Sequence, residues 1–154
     1  MEFNNPLVFF ISAIGVFNGF LASFYFLFFS KQKRVQNLFF GLLLLFLSLR
    51  IGKSVYSIFT ERNARDLLIL QIGLSACFLI GSALFYYIKS SIENTKVIPR
   101  TWKIHFVAAT ILIVTIGVIK PYRVYPEAWN NYIVYSIYTV WGLYIIGSGL
   151  LLKH

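Results

Sequence analysis

Arg50 and Lys53 are the residues of this sequence best placed to do chemistry. They stand three apart, which puts both cations on one face of a helix. They interrupt the apolar run Leu38 to Phe59, and no acid occurs in any apolar run of the chain to neutralise them. A charge at the centre of a bilayer costs ~2.5–3.5 kcal/mol on insertion scales, so a buried cation needs a reason. The sharper reading is an anion pocket for a ligand carboxylate or phosphate. The plainer one is snorkelling, in which both side chains reach out to lipid phosphates or to Glu61 and Asp66 in the next connection. An ion pair between subunits is the third.

Other chemistry is sparse. His105 and His154 are far apart, and with Cys77 they offer no metal-ligand spacing. There is no Gly-rich phosphate loop, no carboxylate pair and no Ser–His–Asp arrangement. An enzyme is therefore not expected, and no cofactor or metal is implied. Cys77 reads as a small packing residue, because no basic neighbour in the sequence would lower its thiol pKa. His105 follows Trp102 and Lys103 and reads as an interfacial hydrogen-bonding residue.

Small residues recur at helical spacing. Gly15, Gly19 and Ser23 form one row with Asn18 beside it, and Gly73, Cys77 and Gly81 form another. Such rows let helix backbones approach closely in lipid. They read as packing faces within the chain or as a dimer face. Tyr132, Tyr135, Tyr138, Trp141 and Tyr144 drift around the last helix, since a spacing of three does not match 3.6 residues per turn. Tyr138 and Trp141 lie deep, where a hydroxyl and an indole N–H require partners.

The elements that must position these residues follow from composition. Of 154 residues, 58% are hydrophobic, 19% aromatic and only 12% charged, and the mean hydropathy is +0.74. Soluble domains carry about 25% charged residues, which excludes an ordinary soluble enzyme. The aromatic content excludes disorder, and a single cysteine excludes a disulfide scaffold. The expected fold is all-α, a polytopic membrane bundle of five transmembrane helices at about 7–29, 38–59, 67–88, 104–119 and 132–152. Lipid cannot satisfy bare backbone groups, so the spans must be helical, and the runs do not alternate as barrel strands would. Counted from Leu38, Arg50 lies roughly 18 Å into the bilayer.

The net charge of +9 sits mostly between the runs, where it suits anionic lipid better than nucleic acid. No direct nucleic-acid contact by these residues is expected. The lipid bilayer is the expected partner, with a second copy or another membrane protein beside it. One set of connections carries Lys31, Lys33, Arg34, Lys89, Lys96, Arg100, Lys103 and Lys153, eight bases. The alternate set carries Arg62, Arg65, Lys120 and Arg123, four bases. The positive-inside rule then predicts a cytoplasmic C-terminus and an outside N-terminus. The first run is too long, and lacks a basic leader, for a cleavable signal peptide. The connection from Lys120 to Asn131 holds two prolines and several aromatics and is expected to be a structured interfacial loop. After Leu152 only Lys153 and His154 remain, an end compatible with a natural stop or with a longer polypeptide.

The order of features resembles the N-terminal multi-helix membrane domain of bacterial membrane-bound AraC-type transcriptional regulators. Gly15 to Phe29 is followed by the basic loop Lys31 to Arg34 and by Asn37-Leu38 leading to Leu42-Leu43-Leu44-Leu45. Then come Leu79-Ile80-Gly81-Ser82-Ala83-Leu84-Phe85-Tyr86-Tyr87-Ile88-Lys89-Ser90 and Ile104-His105-Phe106. Ser82 stands where that family usually has proline, and Val107-Ala108 replaces another proline step. The resemblance covers about two-thirds of the chain. It implies a sensory and anchoring module of the bacterial inner membrane, whose signal passes to a cytoplasmic helix-turn-helix domain that these residues do not contain. A small accessory subunit of a larger membrane complex is the rival expectation. A small transporter is a weaker one, since few polar groups beyond Asn18, Ser48, Arg50, Lys53 and Gln71 could line a path.

Overall fold

The computed structural model describes residues 6–30, 35–61 and 64–153. Lys31, Lys33, Arg34 and Arg62, which enter the charge count above, lie outside the described residues, as does His154. The chain is helical, with no strand among the described residues. α1 spans Pro6–Phe24 and continues through a wider π-helical turn, Tyr25–Phe29. α2 spans Val35–Phe59, α3 Leu67–Ile92 and α4 Arg100–Ile119. A second π-helical turn, Ala128–Ile133, leads into α5, Val134–Lys153. All five helices are long and apolar enough to cross a membrane.

The helices outrun the apolar runs. α3 continues past Ile88 to Ile92, and α4 begins at Arg100 rather than Ile104. Backbone hydrogen bonding does not stop where charge begins, so helices extend beyond the hydrocarbon-length segment. Their ends are set by capping. Asp66 caps α3, its side chain accepting the Leu68 N–H at 2.9 Å, which is worth ~1 kcal/mol. The other end of α3 closes at Asn94, whose φ of 46° lies in the left-handed region that asparagine tolerates. The Thr95 N–H then reaches back to the Ser90 carbonyl at 3.2 Å, the long bond of a Schellman cap. Pro99 sits at the N-cap of α4, where its missing N–H is no loss.

α3 is the centre of the bundle. In its most apolar stretch 56% of residues are buried, against 22% or less in the other four helices. It packs on α2, α4 and α5, while α1 leans on α2. The contacts fix the directions. Val16 meets Gly52 and Leu27 meets Gly41, so α1 and α2 are antiparallel. Lys53 meets Gly73 and Gln36 bonds Ser90, so α2 and α3 are antiparallel. Gly81 meets Trp141 and Phe85 meets Gly147, so α3 and α5 run the same way. The two sets of connections therefore lie at opposite ends of the bundle.

The α4–α5 connection is a built structure, as its prolines and aromatics predict. Pro121 opens a turn whose carbonyl accepts the Val124 and Tyr125 N–H groups, each at 3.0 Å. Trp129 is fully buried, and its indole N–H donates to the Lys120 carbonyl at 2.6 Å. Gln71 of α3 ties this cap down from the side. Its amide donates to the Gly117 carbonyl at 3.0 Å, and its oxygen accepts the Tyr122 N–H at 2.9 Å. Gln71→Leu leaves both backbone groups without this partner. It is expected to cost about 1–3 kcal/mol and to expose the connection to protease at the Arg123 bond. An unchanged digestion pattern would show that the cap does not depend on Gln71.

Candidate functional site

Arg50 lies on α2, nine residues before its end at Phe59, or ~14 Å at the helical rise. The structure brings it to the place where α2, α3 and α5 converge. One guanidinium nitrogen donates to Ser54 Oγ on the same helix at 2.8 Å, and another donates to the Tyr138 hydroxyl of α5 at 3.2 Å. The guanidinium also interacts with the Cys77 thiol of α3.

The acids offered by the next connection do not serve Arg50. Asp66 is occupied as the cap of α3, and its own backbone N–H donates to the Tyr56 hydroxyl at 2.8 Å. Among the described residues the one cation–carboxylate pair within 4.0 Å is Lys89–Glu93, at the other end of the bundle. A reach from Arg50 to Glu61 or Asp66 is therefore not what is seen. Tyr138 and Ser54 take that place, because they lie at the depth of the guanidinium while the carboxylates lie beyond the helix end.

Lys53 points its stem across α3 at Gly73, whose missing side chain leaves room for the Lys53 methylenes. That is the function of the small residue at 73: a Cβ there would collide with the lysine stem. Arg50 and Lys53 share a face, as their spacing requires, and they reach neighbouring positions on α3, Cys77 and Gly73.

The rest of that row is filled in the same way. Gly81 receives Trp141 and Tyr144 of α5, and Cys77 is buried among Leu43, Ile80, Ala83 and Ile137. Gly73, Cys77 and Gly81 are all buried within the chain. The row on α1 divides. Gly19 faces Ser48, and the buried Ser23 donates to the Gly41 carbonyl at 2.8 Å. Gly15 has nothing within 4 Å, and Gly15 and Asn18 both face outward. Val16 takes the place next in the seam, against Gly52. The matching small residues are on α2: Gly41, Ser48 and Gly52 recur at intervals of seven and four and so line one face. Sequence reasoning passed over that row, and its spacing was the signal. Ser23→Ala is expected to weaken the α1–α2 contact by about 0.6 kcal/mol, the mean for an interhelical hydrogen bond in lipid, read as a small shift in the detergent-unfolding midpoint. A shift of several kcal/mol would mean that Ser23 has a further role.

The deep polar groups of α5 fare differently. Tyr138 is matched by Arg50, and Tyr144 pairs with His105 Nε2 at 3.2 Å. His105 is thus the hydrogen-bonding residue expected near that end. The Trp141 indole nitrogen is buried without a hydrogen-bond partner among the described residues.

What this arrangement can do is hold an anion. A carboxylate or phosphate arriving at Arg50 would compete with the Tyr138 hydroxyl for the guanidinium, and a charged acceptor forms the stronger bond. No family model, curated protein or solved structure matches this chain.

Proposed function

We propose that this chain is a sensory and anchoring module of the bacterial inner membrane, with its N-terminus outside and its C-terminus in the cytoplasm. In this reading it serves a regulator of the membrane-bound AraC type. A cue acting at the convergence of α2, α3 and α5 shifts their packing, and α5 passes the shift to a DNA-binding domain outside these residues. The observation that carries the proposal is the Arg50–Tyr138 hydrogen bond. It joins a charged residue within an apolar helix to the last helix of the chain, and no carboxylate neutralises it among the described residues. Two packings with different affinity for an anion are what a sensor needs. The excess of bases at the end where α5 finishes supports the orientation.

The test fuses a DNA-binding domain that is active only as a dimer to the end of α5. Tyr138→Phe removes the hydroxyl and keeps the ring. Loss of one interhelical hydrogen bond in lipid, ~0.6–1.7 kcal/mol, is on the order of a 3- to 20-fold change in a packing equilibrium. Reporter output is expected to move by that factor at equal amounts of protein in the membrane, and Arg50→Gln is expected to move it in the same direction. Identical output from all three proteins removes the relay.

A second reading, an accessory subunit in a membrane complex, is favoured by one observation. Asn18 faces outward, and its side-chain amide makes no hydrogen bond among the described residues. An amide in lipid gains by pairing across a helix contact. Asn18→Leu should then abolish cross-linking to a partner helix from a cysteine placed at Gly15. Cross-links that persist would exclude this face as the contact.

A further inference from the structure

The ends of the bundle differ in charge, and one of them carries a cleft. At the end where α1 finishes and α2 begins, the sequence places eight bases against one acid, Glu93. At the opposite end four bases meet four acids, Glu2, Glu61, Asp66 and Glu127. On the basic end a cleft of about 460 Å³ opens between the π-helical turn that closes α1, the first turn of α2 and the α3–α4 connection. Phe28, Leu38 and Val97 line it with apolar surface, and Lys96 and Lys103 line it as well. The apolar wall is open: Phe28 is 68% exposed and Val97 75%. Both lysines are exposed, and neither has a carboxylate within 4.0 Å among the described residues, where Glu93 is taken by Lys89.

An apolar wall and two unpaired ammonium groups in one cleft match an amphiphile with an anionic head. We propose that this cleft binds one anionic phospholipid, with its phosphate between Lys96 and Lys103 and an acyl chain along Phe28, Leu38 and Val97. The charge of this end and the apolar wall select the occupant together. Free phosphate would use the lysines and leave the wall bare, and a zwitterionic lipid would use the wall and bring no net charge to the lysines. The inference depends on the bundle crossing a bilayer and not on any regulatory role.

The experiment is native mass spectrometry of the purified chain with phosphatidylglycerol and phosphatidylcholine of identical acyl chains. Phosphatidylglycerol should be retained about 30-fold more tightly, the effect of two lysines that each contribute about fivefold near an anionic headgroup. K96Q/K103Q should lose that preference. R100Q/K153Q removes the same charge from the same end but outside the cleft, and should keep it. Equal retention in the wild type and K96Q/K103Q overturns the proposal. So does an equal loss in R100Q/K153Q, which marks diffuse attraction. Inorganic phosphate bound as tightly as phosphatidylglycerol overturns the lipid assignment, and so does an acidic hexapeptide bound as tightly.

Discussion

Trp129→Ala is expected to destabilise the bundle by about 3–5 kcal/mol, the cost of removing a fully buried tryptophan. Trp129 is 0% exposed and belongs to a buried cluster with Leu70, Leu74, Leu79, Ile113 and Tyr122. It lies at the top of that cluster, where α4 turns back to α5, and its indole N–H closes the turn on Lys120. Alanine would leave a cavity and an unpaired Lys120 carbonyl. Trp129→Phe separates the two contributions, since it keeps much of the ring and loses the donor, and about 1 kcal/mol of the total should remain in that variant. The measurement is unfolding in mixed micelles with a denaturing detergent, followed by tryptophan fluorescence. Trp102 and Trp141 stay as probes in both variants. A Trp129→Ala protein within 1 kcal/mol of wild type would show that the connection is dispensable for the fold.

Gly81→Leu is the second large effect. A Cβ at Gly81 would stand 2.9 Å from Trp141 Cδ1 and 3.1 Å from Tyr144 Cδ2. These are ring atoms of a helix packed along α3, so they cannot swing aside without moving α5. Overpacking of this kind costs about 1–3 kcal/mol and occasionally more, and leucine adds three further carbons. The variant should unfold earlier and should separate α5 from α3. Cysteines placed at Phe85 and Gly147, where the end of the Phe85 ring lies against the glycine, should be joined by a short bis-thiol cross-linker in the wild-type background and not in Gly81→Leu. Trp141→Ala in the same chain should restore part of the loss, because the two changes share one space. If the double variant is no better than the single one, the clash is not where the structure places it. The relay proposed above runs along α5, so Gly81→Leu also tests it: reporter output should change together with the cross-link.

Much of this architecture is legible from residue types. The long uncharged runs identify five helices because a backbone in lipid has no other way to satisfy its polar groups. Pro99, Pro121 and the aromatics around Trp129 mark the breaks and the interfacial loop, since proline and tryptophan act locally. Asp66 was legible as an acid but not as a helix cap, because its use depends on where α3 starts. Gly15, Gly19 and Ser23 were legible as a small-residue row. Which two of them touch α2 was not, because that depends on the rotation of α1 about its own axis.

The sequence by itself determined the number and kind of elements, the uneven charge of the two ends, and the presence of two cations with no acid in their own segment. These are local properties, set by composition within one helix length. Only the tertiary structure decided that Arg50 meets Tyr138, 88 positions away, and Cys77 on a third helix. It also decided that Lys53 crosses at Gly73 and that Lys96 and Lys103 share a cleft with Phe28. The physical reason is that such a pairing depends on the direction, depth and rotation of separate helices. Those are set by how small and large residues interlock across the bundle, and no single segment encodes them.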